Sequence, residues 1–211
     1  MRIHPLLIAT LGLALIGNAK PPKYEGAGNF SFSNPSGPWS YGFGVPGSSF
    51  TPMTVLTTDR CFGTPGLACW QPPNTVDGAP VIGHNSLMNP LNVTTVVLPP
   101  GVLLLHPGPN TDAILTWTAP ASGTYRITGF FALLDVKPTG VIATIFNGST
   151  RLFGVSLTGP PAVHPNQMGG GQSFSLTVTV TAGAVISFGV NNAGNFLNDS
   201  VGLKAIITPV P

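Results

Sequence analysis

Charge is what this sequence has least of. Asp, Glu, Lys and Arg make up 7% of its 211 residues, against roughly 25% in an average soluble protein. Glu25 is the sole glutamate, so a His-Glu-x-x-His metal site is excluded and carboxylate chemistry rests on aspartates. Basic runs are missing too. The formal net charge is +2, and Arg2 at the very start supplies part of it. A nearly neutral chain without a Lys/Arg patch argues against nucleic acid and against anionic membrane surfaces as partners. Cysteine occurs twice, at Cys61 and Cys69. Two thiols are too few for a closed zinc site, and their spacing is not Cys-x-x-Cys, which argues against a redox pair. Gly-x-Ser-x-Gly and Gly-x-x-x-x-Gly-Lys are both absent, which removes a nucleophile elbow and a phosphate cradle. No segment after the first twenty residues carries the helical period, and none there is an apolar run of 18.

What remains is apolar and finely punctuated. Hydrophobic residues make up 43% of the chain, and 27 glycines and 23 prolines divide them into short runs. The clearest is residues 113–134. Leu115 and Trp117 fall on one face before a Pro120 to Gly123 turn; Tyr125, Ile127, Phe131 and Leu133 share a face after it. A period of two marks half-buried strands, and proline with glycine marks the turn between them. A hairpin alone is marginal in water, so its apolar face needs a second sheet. Similar runs lie at 29–33, 39–45, 50–56, 91–98, 102–106, 141–147, 152–157, 173–181, 184–190 and 201–208. Residues 57–88 read as a long irregular loop. Ten or more short strands with frequent turns predict an all-β protein, a jelly-roll-like antiparallel β-sandwich, with a β-barrel as the alternative.

Residues 1–19 have the pattern of a secretory signal peptide: Arg2, an apolar run over 6–16, then Gly17-Asn18-Ala19. Residues 20–28 are expected to be a flexible start, and 29–211 a single domain. Export to an oxidising compartment makes a Cys61–Cys69 disulfide the simplest fate of the thiols. The chain ends Thr208-Pro209-Val210-Pro211 with no hydrophobic tail, so the expectation is a secreted or periplasmic protein without a membrane anchor.

If neighbouring strands alternate in direction, three tight turns (120–123, 147–149, 182–183) lie at one end. Four longer connections lie at the other and bring Asp112, Asp135, His164 and Asp199 together, with His106 at their edge. Rigid scaffolds present function on loops, so these five are candidate ligand-binding residues. Trp39, Tyr41 and Trp70 are the aromatic candidates, able to stack on sugar rings or to pack in the core. No catalytic residue and no metal ligand set is assigned. No cofactor is expected, although a calcium site built from Asp112, Asp135 or Asp199 with backbone carbonyls stays open.

Four stretches carry a family likeness: Asn34-Pro35-Ser36-Gly37-Pro38-Trp39-Ser40-Tyr41-Gly42; His106-Pro107-Gly108; Trp117-Thr118-Ala119-Pro120 with Gly123-Thr124-Tyr125; and Asn198-Asp199-Ser200. On these the chain resembles exported bacterial β-sandwich proteins, several of which carry a Pro-Glu-Pro C-terminal sorting signal. The resemblance implies a jelly-roll-like fold outside the cytoplasm and no particular reaction. The sorting tail itself is not among these residues. The functional expectation is a non-catalytic module binding glycan or another extracellular polymer. The alternatives are a carbohydrate-active hydrolase or lyase, and a structural surface or matrix component.

Overall fold

A computed structural model describes residues 21–211; the expected signal peptide and Lys20 lie outside them. The two strands predicted around the Pro120 to Gly123 turn form, but not as a hairpin. They are Asp112–Thr118 and Gly123–Leu133, here called β10 and β11 by their place in the chain. They do not pair with each other but open into two facing sheets. Trp117, Leu115, Ile127, Phe131 and Leu133 meet between the layers and are fully buried.

Before them come β1 (Tyr24–Glu25), β2 (Trp39–Val45), β3 (Ser49–Pro52), β4 (Val55–Thr57), β5 (Leu67–Gln71), β6 (Val81–Asn85), β7 (Leu91–Val93), β8 (Val96–Leu98) and β9 (Leu103–His106). After them come β12 (Val141–Asn147), β13 (Thr150–Leu157), β14 (Gly171–Val180), β15 (Val185–Asn191) and β16 (Val201–Pro209). One sheet runs β14-β11-β16-β9-β6-β5-β4, with β1 also on β16; the other runs β13-β12-β15-β10-β2-β3. The named pairings are all antiparallel. The last eight strands wind as β9-β16-β11-β14 over β10-β15-β12-β13, the double Greek key of a jelly roll. The protein is an all-β sandwich.

Five further expectations need correcting. Residues 29–33 form no strand; Phe30 instead packs flat on His84, with ring centroids 4.8 Å apart. The described part of 20–28 is not loose, because Tyr24 pairs with Ile207 and its ring meets Trp117 at 5.5 Å. Residues 50–56 split into β3 and β4, which belong to different sheets. The loop predicted over 57–88 contains β5 and β6, and residues 91–98 fold as the β7–β8 hairpin. The physical reason is a second cover. This hairpin lies on the outer side of the sheet, where Leu91, Val93, Val96 and Leu98 bury Leu67, Cys69, Val81 and Leu104. A strand covered on both faces reads as a continuous apolar run, and alternation disappears.

The most specific of the family-like stretches has a structural job. Asn34 Nδ2 donates to Tyr41 O at 2.6 Å and Met53 O at 2.9 Å, and its Oδ1 accepts Tyr41 N at 3.0 Å. One side chain thereby continues the ladder at the point where the chain leaves β3 for the other sheet.

Candidate functional site

The two ends of the sandwich differ as the strand alternation predicts. At one end the tight turns touch each other: Gly183 N donates to Ala119 O, and Gly148 N to Val185 O. At the other, the long connections interlock. Asn192 Nδ2 donates to Gly108 O and Pro109 O, Thr139 Oγ1 lies 3.0 Å from Asn195 O, and Ala162 N donates to Asp135 O.

Beside these interlocked loops is a pocket of about 280 Å³. The Cys61–Cys69 disulfide is present, and the loop that it closes brings Phe62 to the rim, 50% exposed. The β5–β6 connection adds Asp77 and Gly78, and the β7–β8 turn adds Thr94 and Thr95. His106 at the end of β9, Asp135 just after β11, and Asn198 with Ser200 before and at the edge of β16 complete the polar wall. Val81, Val93, Val96 and Leu104 supply an apolar floor. Six non-glycine residues of the described chain have a positive φ between 48° and 61°, and four of them, Phe62, Asp77, Thr94 and Asn198, line this pocket. Such conformations cost of order 1–3 kcal/mol each and gather at binding and active sites. Thr94, at φ 52°, is the most telling, because a β-branched residue disfavours that region strongly.

Asp135 is the pocket's anchor. It is 1% exposed, with Oδ1 accepting the Thr95 hydroxyl and Oδ2 accepting Ser200 N at 3.1 Å. Both oxygens are thus committed to holding two walls together. His106 Nδ1 lies 2.8 Å from Pro107 O. A carbonyl only accepts, so Nδ1 carries the proton and Nε2 is left as an acceptor. Burial pushes the imidazole below its usual range, opposed by the Pro107 bond and the Asp135 charge.

The remaining candidates divide. Asp199, fully buried, stands behind the pocket wall with Oδ1 2.7 Å from Thr139 Oγ1. Burial pushes its carboxyl up to about 6, with Asp135 adding to the rise and hydrogen bonds from Thr139 and Gly140 opposing it. Asp112 does not line the pocket; its Oδ1 accepts Asn191 Nδ2 at 2.8 Å, and burial raises its pKa. His164 is exposed on the same pole, 2.8 Å from Asn92 Oδ1, and is not part of the wall either. Trp39, Tyr41 and Trp70 are core residues. Tyr41 and Trp70 stack at 6.1 Å, and Trp39 packs on Phe188 at 6.4 Å. None presents a face to solvent, so the accessible aromatic of the stapled loop is Phe62 and not Trp70. Parity placed Trp39 and Tyr41 on one face but not which face, and Trp70 lies in an unforeseen strand. Phe62, Asp77, Thr95 and Asn198 were missed. The one available signal was Phe62 directly after a loop cysteine.

Among the described residues, no three His, Cys, Asp or Glu side chains gather as a metal-binding group, and no helix is long and apolar enough to cross a membrane. A second cavity, of about 310 Å³, lies over Thr116 and Ser187 beneath Pro46 and Phe50, and no titratable side chain lines it.

No family model and no curated protein matches the chain. Solved structures do. Over 92% of its length, at 8% identity and a TM-score of 0.45, the chain is similar to 99% of a cleaved adhesin domain of Lys-gingipain from Porphyromonas gingivalis. Over 75%, at 9% identity and a TM-score of 0.35, it is similar to 94% of the CBM51 of Clostridium perfringens GH95, solved with methyl-galactose. Over 50%, at 15% identity and a TM-score of 0.31, it is similar to a Paenibacillus cycloisomaltooligosaccharide glucanotransferase, of which it spans only 14%. At such identities no residue role passes from one chain to another, so the pocket stands on its own side chains.

The pocket histidine carries a pH prediction. His106 and His84 both have pKa values lowered by burial. Below about pH 6.5 the unfolded chain protonates them before the folded chain does, so their contribution to stability is lost on acidification. Asp112 and Asp199, with raised values, act in the opposite sense, because the folded chain holds their protons better. Comparison isolates the histidine: His106→Gln is expected to lose less melting temperature than the unmodified protein between pH 7 and pH 5. Equal slopes in circular-dichroism melts would show that burial does not perturb His106.

Proposed function

We propose that this chain is a non-catalytic, exported β-sandwich module that binds glycan through the pole pocket. The observation that carries the reading is Phe62, an exposed ring held on a disulfide-closed loop at the rim of a small pocket walled by polar groups. A flat apolar ring offers contact area to sugar C–H faces at low entropy cost. His106 Nε2 and the side chains of Asp77 and Asn198 supply acceptors and donors for hydroxyls. The volume sits just below the range of about 300–1,000 Å³ for drug-sized ligands, which suits a single sugar ring or chain end. The carboxylates support a non-catalytic reading, because Asp77 is the one pocket carboxylate left free and has no second to pair with. Asp135 has both oxygens engaged, and Asp199 does not line the pocket. Export is supported by the leader-like residues 1–19 and by the disulfide.

A glycan array with the full chain, followed by saturation-transfer NMR on the hits, tests this. Phe62→Ala is expected to weaken binding about 30-fold, the size of a hot-spot aromatic, with an unchanged melting temperature because Phe62 is half exposed. No binding across the array, or a hit untouched by Phe62→Ala, refutes the site. Release of reducing ends from a polysaccharide panel would replace this reading with a hydrolase.

A further inference from the structure

The β15–β16 connection is shaped by its asparagines. Asn191, Asn192 and Asn195 each turn Oδ1 back to the amide two residues on, at 2.9, 2.8 and 3.1 Å. These Asx turns hold the segment without a sheet and set where its carbonyls point. Asn195 O and Leu197 O each lie 3.0 Å from Thr139 Oγ1, and Asp199 Oδ1 lies 2.7 Å from the same atom. A hydroxyl has one proton, so it satisfies one of these three acceptors. Asp199 Oδ2 is buried with no partner at hydrogen-bond geometry, although the Thr139 and Gly140 amides lie near the carboxylate. No cationic side chain compensates it: the ion pairs among the described residues are Lys23–Glu25 and Arg60–Asp59. Asp135, itself buried, is close enough to raise the Asp199 pKa and does not compensate it. Buried charges in proteins are paired or bound to metal, because desolvation is otherwise uncompensated.

We propose that Asp199, the carbonyl oxygens of Asn195 and Leu197, and the Thr139 hydroxyl form a calcium site. The ligand set is all oxygen, without thiolate or imidazole, which selects a hard cation over zinc or copper. Carbonyls on a looping backbone with a carboxylate suit the six to eight flexible ligands of calcium, water making up the number, better than the strict octahedron of magnesium. One carboxylate ligand places the site in the weak class of extracellular modules, with Kd about 10⁻⁴–10⁻³ M. The site has a consequence for the pocket. Asn198 lies between two of the ligands and lines the pocket at φ 58°, so calcium fixes the backbone that presents it. The inference does not depend on the glycan reading, and its test uses no glycan.

The test is isothermal titration of the full chain with CaCl₂ after EDTA treatment, with melting temperatures alongside. The expected result is a one-site isotherm and a rise of several degrees at ~10 mM Ca²⁺. Asp199→Asn is expected to weaken the response at least tenfold, Thr139→Val to weaken it less, and Glu25→Gln to leave it unchanged. Should Asp199→Asn not fold, Thr139→Val carries the test, since Thr139 is exposed. No response to calcium, an equal response in both ligand variants, or the same response to Mg²⁺ or Na⁺ overturns the site.

Discussion

Gly129→Ala is expected to remove about 3–5 kcal/mol of stability, through overpacking and backbone strain acting together. Gly129 sits in the middle of β11, opposite Ala205 of β16 and Phe174 of β14. Its φ is +154°, and a Cβ there would stand 1.8 Å from the Lys204 carbonyl oxygen and 2.9 Å from the Phe174 ring. The ring can rotate away. The carbonyl cannot, because β16 is held by β11 on one side and by β9 and β1 on the other. A domain of ordinary stability, about 5–15 kcal/mol, would lose much of its margin. Urea unfolding measures the loss as a lower midpoint at constant slope. Gly183→Ala is the control: φ is +83° but nothing lies within 4 Å, so only the left-handed penalty of about 1–2 kcal/mol applies. A Gly129→Ala chain no less stable than Gly183→Ala would refute the clash.

Trp117→Ala is expected to cost about 3–5 kcal/mol, the usual toll of an aromatic deleted from a core. Trp117 is fully buried, with Tyr125 at 4.9 Å and Tyr24 at 5.5 Å. It joins three elements, because those rings belong to β11 and β1. The same site gives a sharper comparison. The Trp117 indole nitrogen is buried without an acceptor, so Trp117→Phe removes an unsatisfied donor along with some volume. A donor left unpaired costs about 1–3 kcal/mol, and its removal offsets part of the lost packing. The phenylalanine variant should therefore melt well above the alanine one. Equal losses would mean that the indole N–H is satisfied after all.

Half of the candidate site is legible in the sequence. Reasoning from alternating strand direction assembled the right loops at one pole, because turn length and strand parity are written locally. It brought His106, Asp135 and Asp199 into one neighbourhood, and the structure places Asp135 and His106 on one wall with Asp199 behind it. It also grouped Asp112 and His164 with them, and these look elsewhere. An alternation argument assigns an end of the sandwich, not a side of it. The aromatics failed for a related reason. Trp39 and Tyr41 share a face, but only the position of the opposite sheet makes that face an interior.

Local chemistry alone determined an all-β protein, with a sandwich favoured over a barrel. A period of two over 113–118, 124–133 and 173–181, with turns at Pro120–Gly123 and Ala182–Gly183, leaves two greasy faces that must meet. It determined the disulfide by elimination as well. Only the tertiary structure decided that β5, β6 and β9 are covered twice, that Phe62 reaches a rim shared with residues as distant as Ser200, and that three oxygens crowd one threonine hydroxyl. Periodicity reports what a strand offers to its two sides. What arrives there depends on how distant loops close, and dihedral preference over a few residues holds no record of that.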